Sequence, residues 1–233
     1  ANAVNLNNLD VCGGACQGNN SIAATGNVDI TATAGAITRS VDDGVSLSGA
    51  NVTLSAGTNI DSIFGNITAT SGNVLATAAG TLDTTNLTVT GANNVTLSTP
   101  GAVSTSTVTA TNGSVSITSS GASVGLGALS AGTDVLVNAV TGISGSTMTA
   151  GTGGNGLLTL TSTGAAGDIV LNGNVAATNA GLLNTQPAIS VTSGHDIVLR
   201  AINLTTSTSG GVKLTAANAV NLNNLDVCGG ACQ

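Results

Sequence analysis

The chain has 233 residues, 33 of them Gly, with no Trp or Tyr, one Phe, and charged residues at only 6%. Ten acidic groups against three basic ones give a net charge of −7. With no basic patch and no aromatic platform to hold a phosphate backbone, nucleic acid is excluded as a partner. The 41% hydrophobic content is enough to bury a core and too much for a disordered tract. Glu is absent and Lys213 is the only Lys, which removes the side chains that solvate long helices. Val, Thr, Ile, Ser, Asn and Gly dominate instead, so the chain is predicted to be all-β.

The chain opens with ANAVNLNNLDVCGGACQ, residues 1–17, and closes with the same seventeen letters at 217–233. The offset of 216 residues reads as one tandem unit, 1–216, followed by the start of an identical one, 217–233, cut from a longer array. Each copy carries a CxxxC pair, Cys12 with Cys16 and Cys228 with Cys232. The three residues between them, two of them Gly, can fold back far enough to close a disulfide within the loop. A crosslink to a neighbouring chain, half of a metal site, and free thiols are the other readings. No signal peptide opens the sequence, and for an internal segment that absence says nothing about secretion. No apolar run reaches the roughly 18 residues that a membrane span needs.

Beyond the cysteines, Asp42-Asp43-Gly44 is the densest acidic spot. It reads as a turn, because neither a GGxGxDxUx nonapeptide nor an EF-hand loop surrounds it. Short alternating apolar pairs then recur after Gly or Asn: Val28/Ile30, Val52/Leu54, Val74/Ala76, Val95/Leu97, Val115/Ile117, Val135/Val137 and Leu158/Leu160. Their spacings are 24, 22, 21, 20, 20 and 23 residues. Alternation over three to five residues places each pair on one face of a strand. Turn signals follow at 56–57, 100–101 and 120–121, with weaker strands at Leu87/Val89 and Val108/Ala110. One such set per 20 to 24 residues predicts the coil of a right-handed parallel β-helix, a β-solenoid whose strands stack about 4.8 Å apart. Asn27, Asn51, Asn73 and Asn94 open successive rungs, where stacked side chains can hydrogen-bond along the stack. A sandwich or propeller of antiparallel hairpins is the competing architecture, disfavoured by the scarcity of Asn-Gly turns.

The second half is less regular. Pairs at Ile169/Leu171, Ile189/Val191, Ile197/Leu199, Val212/Leu214 and Val220/Leu222 lie eight to twenty residues apart, and 172–187 reads as an inserted loop. Nine or ten rungs per 216 residues are expected, an advance of roughly 45 Å. Asp134, Asp168 and Asp196 begin rungs and are expected to make local backbone bonds. His195, the only histidine, stands beside Asp196 and reads as a turn residue, with too few partners for acid–base work. Gly13-Gly14 and Gly153-Gly154 are loops without the P-loop lysine. The Asn-X-Ser/Thr sequons at Asn19, Asn51, Asn66, Asn86, Asn94, Asn112 and Asn203 are those expected by chance from this composition.

Segments such as NVTLSAGTNI (51–60), NVTLSTPGAV (94–103) and SVSITSSGAS (114–123) resemble the degenerate repeats of filamentous haemagglutinins and related large exoproteins of the two-partner secretion route. The likeness is clear over about residues 27–160. It implies a bacterial, surface-attached or released β-helical fibre, non-enzymatic and without a cofactor, acting in adhesion, aggregation or biofilm and sheath structure. Its implied partners are further copies of the repeat, lateral fibre neighbours and cell-surface or matrix glycans. An oxidising extracellular setting would favour the disulfide at Cys12/Cys16 and Cys228/Cys232. The perfect 216-residue period and the paired cysteines depart from the family pattern. A β-helical polysaccharide-active enzyme and an ice- or mineral-templating solenoid are the alternatives. The first lacks the aromatic platforms such enzymes use for sugar rings, and the second would need regular Thr rows.

Overall fold

The computed structural model describes residues 4–5, 21–38, 45–61, 64–181, 186–200, 202–207 and 210–223. Among them there is no helix, and every pairing between named strands is parallel. The one antiparallel contact among the described residues is an isolated bridge between Asn155 and Asn179. The chain is a parallel β-solenoid, and the hairpin architecture is excluded.

Each coil contributes strands to three walls. The first wall is a register column running Val4, Ile37, Ile60, Leu82, Val103, Val124, Ile143, Ile169, Ile197, Val220. The second runs Ile22, Leu47, Ile67, Val89, Val108, Leu129, Met148, Val175, Leu204. The third runs Val28, Val52, Val74, Val95, Val115, Val135, Leu158, Ile189, Val212. The second and third columns each make eight turns. The first makes nine steps between Val4 and Val220; the solenoid thus has about eight turns, where nine or ten coils were expected from the sequence. At about 4.8 Å per step, those nine steps span about 43 Å.

The alternating pattern sets the burial. Val95–Thr99 and Val115–Ser119 each alternate buried and half-buried residues along all five positions. Val95, Val115, Ile117, Val135 and Val137 are fully buried. Each such aliphatic side chain contributes about 1.5–3 kcal/mol by leaving water. Small β-branched and aliphatic groups suit an interior fed by three walls, which is why the chain manages almost without aromatic rings. One inward column is smaller still: Ala32, Ala56, Ala78, Thr99, Ser119, Ala139, Ser162, Ser193, Ala216. Where it carries a hydroxyl, that group bonds a carbonyl at the turn of the coil below. Ser119 Oγ donates to Gly101 O at 2.6 Å and Ser193 Oγ to Gly167 O at 2.8 Å. Thr99 Oγ1 donates to Gly80 O. At the same corner the coils pack so closely that a Cβ on Gly101 would lie 2.0 Å from the Gly80 carbonyl oxygen.

The second half keeps the same walls with longer corners. The apparent eight-to-twenty-residue spacing mixed two walls: Ile169, Ile197 and Val220 belong to the first, Ile189 and Val212 to the third. The segment read as an inserted loop, 172–187, holds the second-wall strand Val175–Thr178, stacked between Met148–Ala150 and Leu204–Ser207.

Candidate functional site

The coils are held at their corners by a ladder of side-chain oxygens, each accepting a backbone N–H from one coil further on. Asn51 Oδ1 accepts from Asn73 N at 2.8 Å, Asn73 Oδ1 from Asn94 N at 2.9 Å, and Asn94 Oδ1 from Ser114 N at 2.9 Å. Asn51 Nδ2 donates to Asn27 Oδ1 at 3.0 Å, so all four asparagines expected to stack do so. The physical reason is that strand hydrogen bonding stops at the corner, leaving N–H groups that a short carboxamide reaches without distorting the turn. Asn59 serves Thr81 in the same way at the entry to the first wall, and Asn174 serves Asn203 at the entry to the second.

Asp134, Asp168 and Asp196 are rungs of this ladder, which corrects the expectation of local backbone bonds. Asp134 Oδ1 accepts from Leu157 N at 2.8 Å, Asp168 Oδ1 from Asp196 N at 3.1 Å, and Asp196 Oδ1 from Ala219 N at 2.9 Å. All three bonds reach to the next coil. His195 joins the ladder from the side. Its Nδ1–H donates to Asp168 Oδ1 at 2.7 Å, a residue one coil earlier, while its sequence neighbour Asp196 stands 3.7 Å away through Oδ2. The hydrogen bond from His195, helped by the Asp196 amide, holds the Asp168 carboxyl below its ordinary 3.8. The same bond to Asp168, with the negative charge of Asp196, raises the imidazole above its ordinary 6.5. Sequence adjacency pointed to Asp196. The partner is set by the coil length: Asp168 and Asp196 immediately precede Ile169 and Ile197, which pair in the first wall 28 residues apart.

The ligand atoms of Asp168, His195 and Asp196 lie within 4.8 Å of one another. One oxygen of each carboxylate is engaged: Asp168 Oδ1 by His195 and the Asp196 amide, and Asp196 Oδ1 by the Ala219 amide and by Asn218 Nδ2 at 2.8 Å. The cluster is a corner of the ladder with an imidazole attached.

The outer face of the third wall is ordered in a way the linear sequence concealed. One outward column runs Thr31, Ser55, Thr77, Ser98, Thr118, Asn138, Thr161, Thr192, Thr215. Beside it run Asp29, Thr53, Leu75, Thr96, Ser116, Leu136, Thr159, Ser190 and Lys213. The irregular Thr spacing along the chain becomes a nearly continuous hydroxyl row once the coils are stacked.

Comparison with protein-family models, curated proteins and solved structures finds no match to this chain. The likeness to haemagglutinin repeats thus stands on the repeat pattern and on a solenoid fold compatible with it.

Cys12, Cys16, Cys228 and Cys232 lie outside the described residues, as do Asn19, Gly13-Gly14 and Asp42-Asp43-Gly44. Of the remaining sequons, the Asn51 and Asn94 side chains are committed to the ladder, and Asn112 Nδ2 donates to Ala92 O at 2.9 Å. Asn86 takes a left-handed φ of 68° where the long strand Leu82–Gly91 turns from the first wall to the second. Gly154, at a φ of 104°, closes a corner turn through its N–H to Gly151 O.

Proposed function

We propose that this chain is part of the shaft of a non-enzymatic extracellular fibre, a bacterial surface filament or adhesin acting in adhesion, aggregation or biofilm and sheath structure. The observation that carries the reading is the match between repeat and coil. The 216-residue offset between the two identical seventeen-residue segments coincides with a whole number of steps, nine, along one wall of the stack. A unit with that property lengthens a rod without changing its cross-section, which is what a shaft requires. The haemagglutinin-like repeats support the extracellular, bacterial setting. In that setting Cys12/Cys16 and Cys228/Cys232 would form disulfide staples or crosslinks, and further copies, lateral neighbours and surface glycans would be the partners.

Immunogold electron microscopy of native cells with antibody against this chain tests the reading. Labelled thin rods ending at the cell surface are the expected result for an adhesin, and bundles or a coat for a structural filament. Labelling confined to globular particles or to the cell interior overturns both. A second reading, ordering of water or mineral, is favoured by the hydroxyl row from Thr31 to Thr215, and thermal hysteresis of the purified chain is its test. Turnover of a glycan by the purified chain, abolished by Asp168→Asn, would replace both with a polysaccharide-active enzyme.

A further inference from the structure

At the entry to the first wall, two consecutive coils bring one imidazole and two carboxylates together. Asp168 stands one residue before Ile169, and His195 and Asp196 stand before Ile197, the partner of Ile169 in the next coil. Bonds to the stack set each of them. Asp196 Oδ1 is held by the Ala219 amide at 2.9 Å and Asn218 Nδ2 at 2.8 Å, and Asp168 Oδ1 by the Asp196 amide at 3.1 Å. The His195 amide donates to Ser193 Oγ at 3.2 Å, and that hydroxyl donates to Gly167 O at 2.8 Å. The histidine is thereby anchored to the coil that carries Asp168. Both carboxylates keep Oδ2 outside these bonds.

We propose that Asp168, His195 and Asp196 bind a divalent d-block cation of the Zn²⁺ class, which joins the two coils. The donor spacing suits it. His195 Nδ1 lies 2.7 Å from Asp168 Oδ1 and 3.7 Å from Asp196 Oδ2, and the three ligand atoms all fall within 4.8 Å of one another. An ion with bonds of about 2.1 Å requires neighbouring donors about 3.0–3.4 Å apart, so shifts of about 0.5 Å seat it. The ion takes the place of the proton between His195 Nδ1 and Asp168. That proton passes to solvent, and nitrogen–metal and oxygen–metal bonds replace the hydrogen bond. Water completes the coordination, because each side chain reaches the surface. An imidazole nitrogen beside carboxylate oxygens selects such an ion over Mg²⁺ and Ca²⁺, which take oxygen ligands.

The ladder alone does not call for this chemistry. Asn51, Asn73, Asn94 and Asn174 accept the same backbone N–H groups without charge. Among the described residues, only this corner sets two acids on consecutive coils with an imidazole against them. The backbone bonds to Oδ1 are also what orients a ligating carboxylate in a metal site. The place in the stack fits as well. Ile169 and Ile197 are 28 residues apart, against 19 to 23 for each first-wall step from Ile37 to Ile143. A bond between coils constrains the chain most where the connection is long. The inference goes beyond the shaft reading and does not depend on it.

The experiment is a Zn²⁺ titration of the purified full chain, its thiols blocked by alkylation, followed through the nitrogen NMR resonances of its only imidazole. The signals are expected to report Nδ1 as the coordinated nitrogen and to saturate at one ion per chain. Asp168→Asn and Asp196→Asn, checked for folding by circular dichroism, each weaken the apparent affinity by about tenfold. Asp29→Asn removes the same charge from the third wall and leaves the affinity unchanged. Mg²⁺ leaves the imidazole signals in place. The Ile169 amide bonds Asp196 O across the two coils. Its hydrogen exchange slows by about tenfold at a free Zn²⁺ of about ten times Kd. No saturable shift, coordination through Nε2, wild-type affinity in either Asp variant, an equal response to Mg²⁺, or unchanged Ile169 exchange each overturns the proposal.

Discussion

The coils between Val52 and Val135 and those between Leu158 and Val212 fold to the same three walls by different means. In the first group third-wall strands follow each other every 20 to 22 residues, and the ladder is carried by neutral Asn51, Asn73 and Asn94. In the second group one coil takes 31 residues, from Leu158 to Ile189, and the ladder passes through Asp168 and Asp196. Yet Leu160 and Val191 are as buried as Leu97 and Ile117. The solenoid conserves position in the column, not the length of the coil. Extra chain is absorbed at corners, where no strand pairing is lost and the entropic cost of a longer loop grows slowly.

The sharpest way to break this comparison is to cut the core equally in both regions. Leu97→Ala and Leu160→Ala each remove a fully enclosed side chain and are expected to cost about 2–5 kcal/mol. Leu136→Ala, on the outward face of the same wall, should cost within about 0.5 kcal/mol of nothing. Because a stack of repeats can open in sections, hydrogen exchange of the third-wall amides is the better measurement than a single melting curve. If Leu160→Ala costs far less than Leu97→Ala, long corners loosen their coil and column position is not the controlling variable.

What the linear sequence revealed follows from the same contrast. In 27–160 the corners are short, so the third-wall pairs recur at nearly constant spacing and both the fold and the asparagine ladder were legible. Beyond Leu160 the corners lengthen, and first-wall and third-wall strands carry the same Ile/Val/Leu alternation, so Ile169 and Ile189 looked like neighbours in one series. The strand Val175–Thr178 was hidden because VAAT is weakly apolar, and it is identified by its stacking on Met148–Ala150. The His195–Asp168 bond was illegible for a related reason: its partner is set by coil length, and in this region coil length is what varies. The hydroxyl row of the third wall has no linear period either, since Thr and Ser also fill the outward sites of the other walls.

A smaller effect separates the two kinds of ladder. Asn94→Ala leaves the Ser114 N–H without its acceptor at a water-accessible corner, and about 0.5–1.5 kcal/mol of stability is expected to be lost. Asp134→Asn keeps an oxygen for Leu157 N–H and should leave stability within about 0.5 kcal/mol of wild type. Chemical denaturation of the two variants side by side makes the check. Equal losses would mean that charge, not the accepted hydrogen bond, is what the acidic corners use.

The smallest effect is the most specific to the late region. His195 is raised above 6.5 and Asp168 lowered below 3.8 chiefly by the bond between them. A raised histidine contributes stability that is complete below its unfolded value and fades as pH rises through the folded one. A lowered aspartate contributes stability that is present above its unfolded value and fades as pH falls through the folded one. The pair therefore supports this corner most between about pH 4 and pH 6.5, and less on either side. Both side chains are near half-exposed, so salt should weaken the effect. In Asp168→Asn the imidazole resonances should titrate at lower pH than in wild type, with the remaining offset due to Asp196. Asp196→Asn should move them less, because its carboxylate acts on the ring through space and not through the short hydrogen bond. An imidazole that titrates alike in wild type and Asp168→Asn would show that the ring does not rest on the coil below, and with it the register that sets Asp196 over Asp168 and brings His195 beside it would fail.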